Sequence, residues 1–128
     1  MASAAVQSYR DLVVWQRGMA LTVTCYKATA EFPRDEIYGM TAQIRRAATS
    51  IPANIAEGHG RENTGSFVQF MRIAQGPLKE LKTHLLIVER VAIARVGLVE
   101  PILAECDEIG RMLRALIRSL QGKGKSDQ

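Results

Sequence analysis

The sequence predicts an all-α protein of one domain, built as an antiparallel four-helix bundle. Apolar residues recur at spacings of three and four along four segments, which is the period of a helix with one buried face. Short stretches containing proline or glycine separate these segments, and short connections place consecutive helices side by side and antiparallel. No stretch alternates apolar and polar residues with a period of two, so no sheet is expected. A length of 128 residues fits a single domain.

The first helix is predicted to be capped by Ser8 with Asp11 and to end near Glu31, because Pro33 disfavours helical geometry in the residue before it. Two apolar stripes run along this helix. The stripe expected to face the core contains Leu12, Trp15, Met19, Val23, Tyr26 and Ala30, and the second contains Val14, Gly18, Leu21, Cys25 and Ala28. One stripe is enough for a bundle core, so two stripes predict that this helix also meets another subunit.

The second helix is predicted to be capped by Arg34 or Asp35, of which Asp35 is the better cap, and to end near Gly58 or Gly60, where glycine is typical of a helix C-terminus. Its expected apolar face contains Ile37, Met40, Ile44, Ala48, Ile51 and Ile55. Pro52 lies inside this helix and leaves the carbonyl of Ala48 without its helical donor. Tertiary packing must therefore hold the helix at this point.

The third helix is predicted to begin at Asn63 or Thr64. Its apolar seam alternates spacings of four and three over Phe67, Met71, Ala74, Leu78, Leu81, Leu85, Val88 and Ala92. A partial second stripe contains Phe70, Ile73, Ile87 and Val91. The Gly76-Pro77 pair either breaks the segment into two helices or bends one continuous helix. We favour the bend, because the seam keeps the same phase on both sides of the proline.

The fourth helix is predicted to start at Val99 with Pro101 in its first turn, and it is acidic at its N-terminus and basic towards its C-terminus. Its apolar stripe contains Ile102, Cys106, Ile109, Leu113, Leu116 and Leu120. The expected organisation is a flexible N-terminus over residues 1–7, the bundle over 8–121 and a disordered polar tail over 122–128.

Composition restricts the functional classes. The net charge of +4 permits a nucleic-acid partner but is equally typical of a charge that serves solubility. Aromatic residues make up only 5% of the chain, which is low for a protein that binds single strands by base stacking. Cys25 and Cys106 are far apart in sequence and are interpreted as buried apolar residues. With no signal peptide and no apolar run long enough to span a bilayer, the expected location is the cytoplasm.

A polar line follows the second helix beside its apolar face. We predict that it forms a structural polar network with Glu80 of the third helix, whose members are Arg46, Ser50, Asn54, Glu57 and Glu80. A ligand or partner site at the same place is the alternative. Catalysis is disfavoured, because Ser50 has no histidine within two helical turns and because the spacing of Glu80 and His84 occurs once, without the second pair that a di-metal bundle requires. We therefore expect neither enzymatic activity nor a metal or cofactor.

Basic residues cluster near the second and third helices and again along the fourth. The predicted nucleic-acid contacts are Arg45, Arg61, Arg72, Arg111, Arg114, Arg118, Lys123 and Lys125. Repeated around a symmetric assembly, these residues would form a cationic surface for phosphate groups, with binding that depends strongly on salt. The alternative is a charged face that only contacts solvent.

Several motifs resemble one protein family. The most specific is AQIRRAATSIPANIAEG at residues 42–58, supported by DLVVW at 11–15, FP at 32–33 with YGM at 38–40, and IAQGPLKEL at 73–81. Over residues 9–120 the chain is similar to the four-helix-bundle proteins of the bacterial 23S rRNA intervening sequences. It is distantly similar to the accessory variability protein of diversity-generating retroelements, a basic pentameric bundle that binds a reverse transcriptase and nucleic acid. Pro77 stands where the family usually has serine.

The resemblance implies a left-handed up-and-down bundle that assembles as a ring, with a homopentamer expected. It implies no settled activity. The expected function is a non-enzymatic scaffold that binds nucleic acid, or a nucleic-acid-handling protein, through the basic surface of the pentamer. The alternative is a structural or protein–protein adaptor that binds no nucleic acid.

Overall fold

The computed structural model describes residues 7–126, with side chains described for residues 7–122. Within that part of the chain, every regular element is helical. The four long helices are α1 (Val13–Thr29), α2 (Met40–His59), α3 (Thr64–Arg90) and α4 (Val99–Ser126). Two short 3₁₀ turns, Tyr9–Asp11 and Arg34–Glu36, precede α1 and α2. The predicted all-α class is confirmed.

The helices form a four-helix bundle in which α1 packs against α2 and α4, and α3 packs against the same two helices. Neighbours are antiparallel: Gly18 and Thr22 of α1 meet Pro52 and Ala48 of α2 in reverse order. One continuous core lies between the four helices. Its largest fully buried side chains include Leu21, Ile44, Ile51, Ile55, Met71, Leu81, Ile109 and Leu113. The predicted bundle is therefore confirmed for the single chain.

The two stripes of α1 have the opposite roles to those predicted. The core-facing residues are Val14, Gly18, Leu21, Cys25 and Ala28, together with Thr22 and Thr29. Met19, Val23 and Tyr26 of the other stripe are between 41% and 49% exposed, and Trp15 is half-buried. The buried stripe supplies Gly18 where α1 packs against Pro52 of α2, and Leu21 fills the core beside it. The predicted assignment of the core stripe was wrong.

Both predicted helix starts move towards the C-terminus. Ser8 and Asp11 do form a capping box, but it closes the 3₁₀ turn, and extended Leu12 precedes α1. Residues 34–36 form a second 3₁₀ turn, and α2 starts only after Gly39. There the Glu36 side chain accepts a hydrogen bond from the backbone amide of Met40 at 3.2 Å. Ile37, predicted on the apolar face, is 52% exposed.

The carbonyl that Pro52 leaves without a donor is satisfied from α1. Thr22 Oγ1 lies 3.1 Å from the oxygen of Ala48 and 2.9 Å from that of Gly18, so its hydroxyl proton is shared between the two carbonyls. Pro52 also packs against Gly18, where an added Cβ would lie 3.5 Å from the proline ring. The donor to this carbonyl is therefore Thr22 of a neighbouring helix and not a residue of α2.

Gly58 lies inside α2 and does not end it. A Cβ built at Gly58 would lie 2.5 Å from Cβ of Phe70 and 3.0 Å from the terminal carbon of Met71. Glycine is therefore required at this position because α2 and α3 approach each other closely. The helix ends one residue later, at His59, with Gly60 as its C-cap.

Helix α3 is continuous across Gly76-Pro77, as predicted from the unbroken phase of its seam. Asn63 caps it, and its side-chain oxygen accepts a hydrogen bond from the amide of Ser66 at 2.7 Å. The helix ends at Arg90, and Ala92 adopts a left-handed conformation with φ of 61°. Ala92 is thus a turn residue and not the last member of the seam.

Helix α4 continues through Gly122 to Ser126, into the segment for which the sequence predicts a disordered tail. Residues 1–6, 127 and 128 of the predicted flexible ends lie outside the described residues. Among the helices that the structure describes, none is long and apolar enough to cross a membrane.

Candidate functional site

Basic side chains from two helices converge on a groove between α3 and α4. Lys79 and Lys82 of α3 and Arg111 and Arg114 of α4 line a cavity of about 320 Å³ there. We call this cavity and its four cations the basic groove. Its remaining lining residues are Gln75, Leu78, Cys106, Asp107 and Gly110.

The helix period explains why these cations face one another. Lys79 and Lys82 lie three residues apart and flank the core positions Leu78 and Leu81, so they share one edge of α3. Arg111 and Arg114 have the same spacing on α4. Because α3 and α4 pack side by side, the two edges lie opposite each other.

Two further arginines lie along the same two helices as the cations of the groove, and one glycine lines its floor. Arg72 lies one heptad before Lys79 on the same face of α3, and Arg118 lies one turn beyond Arg114. Arg118 lines an adjoining cavity with Arg111 and Arg114. Gly110 leaves the floor open, and the guanidinium of Arg114 lies 3.4 Å from the place a Cβ would occupy there.

The cations of the groove are only partly neutralised. Lys82 bonds Asp107, and Arg111 pairs with Glu108 at 2.7 Å. The hydrogen bond from Lys82, with the charges of Lys82, Arg111 and Arg114, holds the pKa of Asp107 below its ordinary value. Within the described chain, neither Lys79 nor Arg114 pairs with a carboxylate. The groove therefore presents two unpaired cations and two paired ones.

The cysteines offer no reactive thiolate. Cys106 lies at the floor of the basic groove and Cys25 in the core, and both are free and fully buried. Burial raises the pKa of each thiol to about 12. Since the thiolate is the nucleophilic and metal-binding form, both side chains act as apolar packing at neutral pH. Among the described residues, no three His, Cys, Asp or Glu side chains are placed to hold a metal ion.

The predicted nucleic-acid contacts do not form one surface. Arg72, Arg111, Arg114 and Arg118 belong to the region of the basic groove, whereas Arg45 and Arg61 lie elsewhere. Arg45 stacks 4.5 Å from the ring centre of Tyr26 and donates to Thr29 Oγ1. Arg61 pairs with Glu57 and lies over the ring of Phe70. The side chains of Lys123 and Lys125 lie outside the described residues.

Sequence reasoning missed Lys79 and Lys82, which supply the α3 side of the groove. A signal was present: Arg72, Gln75, Lys79 and Lys82 follow spacings of three, four and three, beside the apolar seam of the same helix. The matching line on α4 is Arg111, Arg114 and Arg118. Two such lines on adjacent antiparallel helices indicate a shared cationic groove.

The polar line of α2 makes local bonds. Ser50 Oγ donates to the carbonyl of Arg46 at 2.9 Å, and Asn54 Nδ2 donates to the carbonyl of Ser50 at 2.8 Å. Glu57 pairs with Arg61, which follows α2 in the chain. Glu80 turns towards His84 in its own helix, at 3.7 Å. In the described chain, no hydrogen bond joins this polar line to Glu80.

Two apolar stripes remain exposed on the single chain. The α1 stripe consists of Trp15, Met19, Val23 and Tyr26, and the α3 stripe consists of Ile73, Ile87 and Val91. The α1 stripe lies on the side of α1 next to α2, as the stacking of Arg45 on Tyr26 indicates. Both stripes consist of residues that do not line the basic groove.

By its fold, this is a small all-helical protein whose four consecutive helices pack as one bundle. Residues 10–115 match the family described as 23S rRNA-intervening sequence protein, and the chain belongs to that family. The resemblance seen in the sequence is thereby confirmed.

A solved structure from Bacteroides thetaiotaomicron is similar over most of both chains. It is described as a protein with unknown function from the S23 ribosomal protein family. It is 26% identical, with a TM-score of 0.73, and the match covers 82% of this chain and 98% of that one. No curated protein matches the chain significantly. Membership of the family thus establishes the fold and brings no assigned activity.

Proposed function

We propose that this protein is a non-enzymatic scaffold that binds nucleic acid, or a protein that handles nucleic acid, through the basic surface of a homopentamer. The observation that carries the proposal is the basic groove, where Lys79 and Arg114 have no carboxylate partner. Unpaired cations along a groove attract phosphate groups, and the release of condensed counterions favours their binding.

The states of Cys25, Cys106 and Ser50 favour a binding role over a catalytic one. Both thiols stay protonated at neutral pH because burial raises their pKa to about 12. The hydroxyl of Ser50 donates to a backbone carbonyl of its own helix. Nucleophilic catalysis needs a side chain activated by an adjacent base, and neither type of residue meets that condition here.

The two exposed stripes support assembly into a ring. A ring forms when one surface of a subunit meets a different surface of the next, so it requires two distinct patches. The α1 stripe is one such patch, and the exposed residues Ile87 and Val91 at the C-terminal end of the α3 stripe offer a second on the same chain. We infer a left-handed up-and-down bundle that closes into a pentamer by these contacts, with the basic groove left open. Five chains carry about +20 in total, which strengthens the attraction of a polyanion.

The second candidate is a structural or protein–protein adaptor without nucleic-acid binding. The α1 stripe favours it, because exposed apolar residues that include aromatic ones are typical of protein interfaces. In this alternative the charges of the basic groove serve solubility only.

Two measurements separate the candidates. Light scattering coupled to gel filtration should give a mass of about 70 kDa for the pentamer of 14.1 kDa chains. Val23→Glu, in the α1 stripe, should shift the mass towards one chain, while Thr24→Glu on another side of α1 should not. Binding of labelled RNA should be strong at about 50 mM salt and weaken steeply towards about 300 mM. A stable monomer would contradict the proposed ring. If no RNA binds at about 50 mM salt, the protein–protein adaptor is the remaining candidate.

A further inference from the structure

We propose that the basic groove is a docking site for one phosphate strand of a double-helical nucleic acid and that it reads no bases. This inference rests on the proposed function and deepens it by naming the site and the form of the ligand. Three features carry it: the geometry of the cations of the groove, the absence of aromatic side chains from its lining, and the two carboxylates that pair with its cations.

The cations form two parallel lines that suit a single strand. Packed helices lie about 8–10 Å apart, so the lines on α3 and α4 flank a channel one strand wide. The cations of α4 run from Arg111 to Arg118, a length of about 10 Å at the helical rise per residue. That length spans several consecutive phosphates of one strand.

The lining of the groove contains no ring on which a base could stack. Its uncharged residues are Gln75, Leu78, Cys106 and Gly110. The exposed aromatic residues Tyr26 and Tyr38 lie on α1 and before α2, away from α3 and α4. Single-strand binders gain much of their affinity from base stacking, which this groove does not provide. A duplex keeps the faces of its bases stacked inside and presents a regular phosphate backbone at its surface, which is the ligand that fits.

Asp107 and Glu108 set how many cations are available before binding. They engage Lys82 and Arg111 in the free protein, so an incoming phosphate meets Lys79 and Arg114 first. The phosphate strand then competes with the two carboxylates for the paired cations. Removing the charge of Asp107 frees Lys82, and we therefore expect Asp107→Asn to strengthen binding.

The test measures fluorescence anisotropy of a labelled RNA duplex of about 16 base pairs, a DNA duplex of the same sequence and one separated strand, each over a range of salt concentration. The groove variant is Lys79→Gln with Arg114→Gln. Its matched control is Lys27→Gln with Arg34→Gln, which removes the same charge at two exposed positions away from the groove. Circular dichroism checks that every variant is folded.

We expect the groove variant to bind the duplex more weakly, on the order of tenfold for each cation removed. The slope of the logarithm of the binding constant against the logarithm of the salt concentration should become less steep by about two. The control should lose less than about threefold. Asp107→Asn should gain affinity and steepen the salt slope by about one. RNA and DNA duplexes should bind alike, because their shared backbone is the ligand, and the separated strand should bind more weakly than either.

Equal losses in the groove variant and its control would overturn the groove as the site while leaving the proposed function intact. Tighter binding of the separated strand than of the duplex would overturn the form of the ligand. If the wild-type protein binds no nucleic acid at about 50 mM salt, the proposed function itself fails and this inference fails with it.

Discussion

Helix α2 and the α3–α4 pair represent two different ways to join helices within one bundle. On both sides of α2 a glycine permits the close approach of the helices: Gly18 lies against Pro52, and Gly58 lies against Phe70. Between α3 and α4 the contact includes lysine and arginine side chains around a cavity. The difference shows that α2 is fixed by close approach, whereas the α3–α4 interface keeps room for an additional molecule.

The largest expected effect concerns the reactivity of the two cysteines, which should differ strongly between the folded and the unfolded chain. Cys25 of α1 lies in the core and Cys106 of α4 at the floor of the basic groove, and burial raises the pKa of both thiols from 9.0 to about 12. Alkylation at pH 8 should therefore be about a thousandfold slower in the native protein than in denaturant. Mass spectrometry of the labelled protein measures both rates. Rapid labelling of Cys106 alone would show that the groove opens to its floor.

The burial of the two thiols also lowers the stability of the fold at high pH. A thiol whose pKa is raised by folding contributes stability that is fully present below its unfolded value. This contribution is lost as pH rises from about 9 towards about 12. Thermal unfolding across that range should show a falling midpoint, and Cys106→Ala should reduce the fall. An unchanged slope in that variant would contradict the assignment.

Two glycine substitutions test the contrast at the level of packing. Gly58→Ala places a Cβ 2.5 Å from Cβ of Phe70, so α2 and α3 must move apart. We expect a loss of about 1–3 kcal/mol in the free energy of unfolding. Gly110→Ala meets only ordinary contacts with Arg114 and Leu78, and alanine favours the helix by up to about 1 kcal/mol. Urea unfolding of both variants measures the difference. A neutral Gly58→Ala would mean that the helices are not held at this distance.

The hydroxyl of Thr22 is the next test. Thr22→Val keeps the shape of the side chain and removes the donor to Ala48, whose carbonyl Pro52 has freed. The expected loss is about 1–2 kcal/mol. Thr24→Val, at an exposed position on the same helix, controls for the change in helix propensity and should be nearly neutral. Equal effects of the two variants would show that the hydrogen bond contributes little.

The smallest expected effect concerns the exposed ion pairs. Glu105 and Asp107 have pKa values lowered by hydrogen bonds from Arg17 and Lys82. Carboxylates of this kind stabilise the fold above their unfolded pKa, and the contribution is lost as pH falls through about 4 and below. Asp107→Asn should leave the thermal midpoint at pH 7 almost unchanged, because exposed pairs are well screened. A clear drop at pH 7 would mean that the α3–α4 pair depends on its charges for stability.

Much of the fold could be predicted from the sequence because α3 carries a strong signal. Its seam of alternating fours and threes predicts one helix across Pro77, and the structure contains that helix. The bundle follows from four such segments with short connections. The helix starts were less accurate. The 3₁₀ turn before α1 uses the same capping box as a helix start, and residues 34–36 form a separate 3₁₀ turn before α2.

The stripes of α1 show where sequence periodicity is insufficient. Both stripes repeat with the helical period, and the one with larger side chains is the more hydrophobic. The structure buries the stripe of Gly18, Cys25 and Ala28, because the distance to α2 decides which side chains fit. At that contact Gly18 packs against Pro52, which is remote in sequence. Small residues with helical spacing are the signal that indicates such close packing.

The candidate site was only partly predictable, for a related reason. The cations of α4 stand out in the sequence as a short run, whereas Lys79 and Lys82 are interleaved with the seam of α3. Only the adjacency of the two helices shows that they share a groove. The donor for the carbonyl of Ala48 was missed in the same way, since Thr22 is 26 residues away.

Trp15, the only tryptophan of the chain, lies in the α1 stripe with its ring 5.3 Å from that of Tyr9. Its indole is half-buried in the single chain, so any molecule that covers the stripe removes water from it. Indole emission shifts to shorter wavelength when water is removed. The protein therefore contains an intrinsic fluorescent reporter on the surface where subunits or partners would meet. Dissociation of an assembly on dilution can be followed by the emission of Trp15, without an attached dye.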